Sequence, residues 1–171
     1  MELQEAIRGR YSVRDYQDTP IPDDVLNAIL EAGRLAPTAV NAQPQRIYVL
    51  KSPDALEKIR GLTRCAFNAP VVLLIAIDSD VQWHNPLEAG ITSGQQDAAI
   101  VATHMMLTAY ENGVGSCWVC YFPNTTVKEA FALPENEIPA LLLPLGYPAA
   151  DAAPSERHAK RLPTEALVRT L

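Results

Sequence analysis

Between Ala98 and Ala109 the chain contains no aspartate, glutamate, lysine or arginine, and this stretch lies inside a helical pattern running from about Thr92 to Asn112. A helix that is apolar nearly all round has to be covered on more than one side. The chain has 171 residues, enough for one domain that buries roughly two thirds of its unfolded surface. One side of the helix can meet that domain's own core, and a second subunit is the natural cover for the other. His104, within the stretch, is expected to be a hydrogen-bonded core group. Val71–Ile77 adds a second constraint. It is an unbroken apolar run between Pro70 and Asp78, which suits a central strand covered on both faces.

The other elements follow from periodicity and punctuation. Leu3, Ala6 and Ile7 recur at helical spacing and predict a short helix ending near Gly9. Pro20 and Pro22 bracket a turn, after which Asp23 is expected to cap a helix to about Leu35, with Leu26, Ile29, Leu30 and Gly33 on one face. Pro37 stops it. Residues 36–45 form a loop of small and amide side chains, and Arg46–Lys51 reads as a strand. Ser52-Pro53 opens a helix with Leu56 and Ile59 turned inward. Residues 79–90 read as a loop. Gly113–Gly115 breaks the long helix, and Ser116–Phe122 is strand-like. Thr126 and Glu129 have the spacing of a capping box for a helix to Leu133, and Ala140–Leu145 is a last apolar strand before a polar tail. Strands interleaved with helices predict a layered α/β or α+β domain.

Net charge is −6 and the sequence pI about 5.0, which argues against a nucleic-acid partner or an anionic membrane surface. No window approaches 18 uninterrupted apolar residues, so no membrane span is expected. The acidic stretch from Met1 to Glu5 lacks an apolar core of signal-peptide length, and three cysteines argue against a secreted disulfide framework. A reduced, cytoplasmic protein is expected.

The basic residues that matter are local. In the stretch Arg10–Tyr16, extended backbone would point Arg10, Ser12 and Arg14 to one side. The forked donors of Arg10 and the hydroxyl of Ser12 would then be able to grip a phosphate dianion together; the alternative is a solvated basic turn. Arg157, His158, Lys160 and Arg161 crowd the tail. Cys117-Trp118-Val119-Cys120 has the spacing of a redox dithiol, but in a strand residues i and i+3 face opposite ways, and no helix N-terminus follows the first cysteine to stabilise a thiolate. His84, His104 and His158 show no metal-ligand spacing, so no metal is expected. Neither a dinucleotide fingerprint, nor a phosphate-binding P-loop, nor a serine-nucleophile elbow is present.

Three motifs in order, RYSVRDY at 10–16, APTAVNAQPQ at 36–45 and KRLPTEALV at 160–168, resemble the nitroreductase family of flavoproteins. AYENGVGSCWV at 109–119, PLGYP at 144–148 and the apolar strand after Ala69-Pro70 are further matches, so the resemblance covers essentially the whole chain. It implies a single domain over residues 1–171 of α+β class: a three-layer sandwich with a central mixed β-sheet flanked by helices, built as an intertwined homodimer with FMN at the interface. It also implies NADH or NADPH as hydride donor, and ping-pong hydride transfer through the flavin N5 to a nitroaromatic, quinone or related electrophile.

Carried over residue by residue, the resemblance places Arg10, Tyr11 and Ser12 at the FMN, with the arginine and serine on its phosphate. Arg14 falls near the pyrimidine end, where a fixed cation would stabilise the reduced flavin and raise its potential. No side chain is required as acid or base. Pro37, Thr38, Ala39 and Asn41 match the loop that reaches the flavin from the other subunit, and the backbone of Tyr121 falls at N5. Arg161 matches a C-terminal phosphate-binding arginine, with Lys160 as its neighbour. Ala159 stands where some members have a second basic residue, so Lys160 or Arg157 is expected to substitute. Gln45 replaces a frequent aromatic, and the substrate-selecting lids of larger members are expected to be absent or reduced to residues 79–92. Two other readings remain open: a non-catalytic flavin-storing protein, and a thiol-disulfide oxidoreductase using Cys117 and Cys120.

Overall fold

All eight residues of the strand Val71–Asp78, β2, are buried. In the computed structural model, which describes residues 2–171 and leaves Met1 of the acidic N-terminal stretch outside them, β2 is flanked by β1 (Gln45–Leu50) and β4 (Glu137–Gly146). A two-residue β3 (Gly115–Ser116) closes the order β1-β2-β4-β3. Every pairing between these strands is antiparallel, with Ile47 opposite Ile75 and Leu73 opposite Leu143. The sheet, expected to be mixed, is antiparallel in all its strand pairings; an isolated parallel bridge, Ser12 to Ser116, lies beside it. The register slips between Ile75 and Ala76, where β4 carries one extra residue, Ala140, between the partners Leu141 and Pro139.

Side chains alternate across a strand, and β2 uses that alternation to build two cores. Val71, Leu73, Ile75 and Ile77 pack with α2 (Asp23–Leu35) and α4 (Gly94–Glu111). Val72, Leu74 and Ala76 pack with α3 (Pro53–Leu62) and α5 (Asn124–Ala130) on the opposite face. Three layers result, an α+β sandwich. The short α1 (Leu3–Gly9) lies against α4, and α6 (Thr164–Leu167) closes the element list. Among the described residues no helix is long and apolar enough to cross a membrane.

Local signals were read with uneven success. Ser52 caps α3 as expected, its side chain accepting from Ala55 N at 3.3 Å with Pro53 following. Asp23 does not cap α2; Pro22 takes that position, and Asp23 and Asp24 lie in the first turn, where the positive end of the helix favours acids. Thr126 falls inside α5, which starts after Pro123, so the Thr126–Glu129 pair does not box its start. Of the strand expected over Ser116–Phe122, only Ser116 belongs to β3 and Val119 adds a single bridge to Leu142. Pro139 and Pro144 in the neighbouring β4 lack the N–H groups that a continuous ladder needs.

The inner face of α4 buries Ala98, Val101, Ala102, Met105, Met106 and Ala109, while Ile100, Thr103 and His104 are exposed on its outer face. His104 is therefore not a core group. It is hydrogen-bonded, as expected, but to its own helix, with Nδ1 at 2.9 Å from Ile100 O.

At the end of β2, Asp78 is buried and takes Arg46 Nη2 at 2.7 Å, Asn136 Nδ2 at 2.7 Å and the Asp80 amide at 3.0 Å. Burial alone would raise its pKa, but the three donors outweigh that and hold it below the ordinary carboxylate range. A depressed carboxyl contributes stability above its unfolded pKa and loses it as pH falls through the folded value. Asp78→Asn should therefore lower stability at pH 7 by about 1–3 kcal/mol and lose part of the acid-side decline below about pH 4. Denaturant melts at pH 7 and at pH 3 measure both effects.

Candidate functional site

Arg10 ends α1 in extended backbone, and its amide is the last to bond into that helix, to Ala6 O at 3.1 Å. The chain then stays extended along β3. Ser12 bridges Ser116, and Val13 N donates to Ser116 O at 3.0 Å. Val13 is buried on the inner side, and the Tyr16 hydroxyl is held by Val13 O at 2.8 Å and Pro144 O at 3.2 Å. Arg10, Ser12 and Arg14 consequently face the same way and line one depression of about 230 Å³.

The tail completes that depression. Residues 147–149 run beside 15–17, with Gln17 N bonded to Tyr147 O at 2.8 Å and Ala149 N to Asp15 O at 3.0 Å. The Tyr11 hydroxyl donates to Ala152 O at 3.3 Å, and its ring meets that of His158 edge-on with centroids 6.3 Å apart. Tight turns follow, His158 N to Ser155 O and Lys160 N to Arg157 O. They bring Ser155, Arg157, His158 and Arg161 to the depression. Lys160, expected beside Arg161, does not line it; Arg157 and His158 do. The irregular spacing of these four residues in the turns is one that neither strand nor helix periodicity reveals.

No acidic residue lines this site. Arg161 spends its donors on neutral carbonyls, His158 O and Lys160 O, and Arg14 on Ser12 O at 3.1 Å. The charges stay uncompensated, which is the arrangement that binds a phosphate dianion. Behind it lies Cys117, 2% exposed. Burial pushes its thiol above the ordinary value against the pull of Arg14 and a hydrogen bond from Ser12. Cys120 is exposed on the other face, where its sulfur accepts from Trp118 Nε1 at 3.2 Å. Farther along the same segment, Tyr121 O accepts from Thr63 Oγ1 at 2.6 Å and Arg64 lies 5.7 Å over the Tyr121 ring. The Tyr121 N–H has no partner among the described residues.

The loop 37–43 lies elsewhere. It contains a short 3-10 turn, Ala39–Asn41, and Thr38 Oγ1 accepts from Gln43 N at 3.0 Å. Val40, Asn41 and Gln43 have φ of 47°, 57° and 51°, and a β-branched residue in that region costs about 1–3 kcal/mol unless its surroundings enforce it. Val40 is nonetheless 77% exposed. Pro37 and Asn41 are exposed too, and Ala39 N donates to Asp97 Oδ1 at 2.9 Å in the first turn of α4. Asp97 did not stand out in the sequence; the signal was an acid four residues after Ser93, at the start of a helix otherwise almost free of charge.

The model of the nitroreductase family matches residues 7–68 and 64–147. The chain belongs to the nitroreductase family. A Methanothermobacter thermautotrophicus protein named NADH dehydrogenase/NAD(P)H nitroreductase is 32% identical over 156 residues, which cover 87% of this chain and 78% of that one. A nitroreductase family protein from Clostridium difficile superposes with a TM-score of 0.92 at 37% identity, covering 100% of both chains. An Exiguobacterium sibiricum nitroreductase solved in complex with FMN shares the fold at a TM-score of 0.84 and 21% identity, over 100% of this chain and 98% of that one.

In this chain the N-terminal stretch reaches the tail because Gly115 permits it. A Cβ there would stand 2.6 Å from Val13 Cγ2 and 2.9 Å from Val13 Cβ. Gly115→Ala should force Val13 outward and destabilise the fold by about 1–3 kcal/mol. Hydrogen exchange at the Val13 amide, now bonded to Ser116 O, should accelerate more than at the amides of β2.

Proposed function

We propose that the protein is an FMN-dependent NAD(P)H oxidoreductase, with residues 1–171 acting as one flavin-binding unit. The observation that carries this reading is the convergence of Arg10, Arg14, Arg157 and Arg161, with Ser12 and Ser155, on one acid-free depression in a chain of net charge −6. That donor set fits a phosphate dianion. The FMN complex of the Exiguobacterium sibiricum structure and the name of the Methanothermobacter relative support it. Bound FMN would supply hydride transfer from NADH or NADPH to a nitroaromatic, quinone or related electrophile, the two substrates taking turns. Arg10, Ser12 and Arg161 hold the phosphate. Arg14 places a cation where reduction adds negative charge. The unpartnered Tyr121 N–H, in a residue whose carbonyl is held by Thr63, stands ready as a donor to the flavin.

We propose further that each site is shared by two subunits. The cationic depression adjoins the C-terminal end of α4, where Arg10 and Tyr11 lie against Tyr110 and Gly113. The loop 37–43 is tied to the first turn of α4. An 18-residue helix is about 27 Å long, so one chain does not bring its own loop to its own cluster. A second chain does, if the outer face of α4 around Ile100, His104 and Leu107, with Leu3 of α1, forms the contact. These residues line two shallow apolar grooves.

The purified protein mixed with FMN should turn yellow and bleach anaerobically with NADH or NADPH. A colourless protein overturns the proposal, and a yellow one that neither nucleotide bleaches points to flavin storage. Arg10→Ala and Arg161→Ala should each weaken FMN binding roughly ten- to hundredfold, since a hydrogen bond to a charged group contributes about 1.5–3 kcal/mol. Arg14→Ala should mainly lower the flavin potential. Arg10→Ala and Asn41→Ala chains, unfolded and reassembled together, should recover about one strong FMN site per mixed dimer, because both defects then fall in the other site.

A further inference from the structure

We infer that Asp97 is a positioning residue that acts on the partner subunit's flavin, by fixing the loop one protomer lends to the other; the inference rests on the shared-site reading above. Asp97 is 2% exposed in the first turn of α4. Both of its carboxylate oxygens are engaged. Oδ1 accepts from Ala39 N at 2.9 Å, and Oδ2 accepts from Ser93 Oγ at 2.6 Å. Ser93 in turn accepts from Trp83 N at 3.3 Å through its hydroxyl and donates its own amide to Trp83 O at 3.0 Å. One buried carboxylate thus joins the 37–43 loop to the 79–92 segment. No lysine or arginine pairs with it among the described residues. Its burial is compensated by these two donors and the positive end of the helix.

The loop needs such an anchor. Val40, Asn41 and Gln43 occupy left-handed backbone, a conformation that persists in non-glycine residues only where the surroundings over-determine it. Most of the bonds holding it are internal: Asn41 N to Thr38 O at 3.0 Å, Ala42 N to Ala39 O at 2.9 Å and Gln43 N to Thr38 Oγ1 at 3.0 Å. They fix its shape but not its direction. Arg46 Nη1 reaches Gln43 O at 3.1 Å at the far end. The Ala39–Asp97 bond is what ties the end carrying Val40 and Asn41 to the long helix, and so aims the exposed tip away from its own subunit's cationic cluster.

Asp97→Ala removes both acceptors, whereas Asp97→Asn keeps a carbonyl for Ala39 N. Asp97→Ala should bind FMN about tenfold more weakly, the usual scale for one lost hydrogen bond of this kind, and Asp97→Asn should recover most of that loss. The decisive readout is which partner variant rescues it. Reassembled with Arg10→Ala chains, Asp97→Ala chains should regain about one strong FMN site per mixed dimer. Reassembled with Asn41→Ala chains they should regain none, because both defects then lie in lent loops. Rescue by Asn41→Ala but not by Arg10→Ala, or wild-type FMN affinity in Asp97→Ala, overturns the inference. Failure of the Arg10→Ala and Asn41→Ala mixture overturns the shared site and the inference together. If Asp97→Ala does not fold, Ala39→Pro deletes the same bond from the loop side, and the extended backbone of Thr38 (φ −131°, ψ 159°) accepts a following proline. The same rescue pattern is expected of it, and the reverse pattern overturns the inference.

Discussion

Everything else in the structure follows from β2 having no polar face. A strand whose residues are all buried must be paired on both edges and covered on both sides, because its backbone groups find partners only in neighbouring strands and its side chains only in other layers. β1 and β4 take the edges, α2 and α4 one side, α3 and α5 the other. With the centre filled in this way, the polar termini are confined to the outer edge at β3. The arginines gather at that rim because apolar side chains occupy the middle.

The cluster at that rim is electrostatically unfavourable by itself. Like charges gathered without acids repel, and the carbonyls that hold Arg14 and Arg161 orient them without neutralising them. An anion bound there relieves the repulsion and favours the folded state by mass action. Stability and ligand occupancy are thereby linked through the same four side chains. The buried thiol of Cys117 behind them is raised by burial, which disfavours the thiolate there.

Much of the fold was legible because hydrophobic periodicity is a local signal. Val71–Ile77 read as a central strand and is one; Leu26, Ile29 and Gly33 are buried on the inner face of α2. Alternation along an extended stretch puts Arg10, Ser12 and Arg14 on one side, and the structure brings all three to one depression. Features decided by where the chain turns were less legible. Whether Pro22 or Asp23 begins α2, and whether Thr126 precedes α5 or lies within it, depends on the angle at which each connection arrives. Arg157 rather than Lys160 faces the site because of two consecutive turns that follow neither strand nor helix periodicity. His104 looked like a core residue because apolar neighbours surround it in sequence, yet an 18-residue helix has an outer face whatever its composition.

The contact between Tyr11 and Ala152 spans 141 positions of sequence. Synthesis runs in chain order, so residues 10–14 are made well before the segment with Arg157 and Arg161 that completes the rim. Closing so long a loop is among the slower steps available to a chain of this size. The arginines of the N-terminal stretch therefore have no rim to complete until residues 155–161 dock beside them. An anion-binding rim assembled from segments so far apart in sequence exists only once both have folded together, so occupancy of that rim reports closure of the whole fold rather than of any one element.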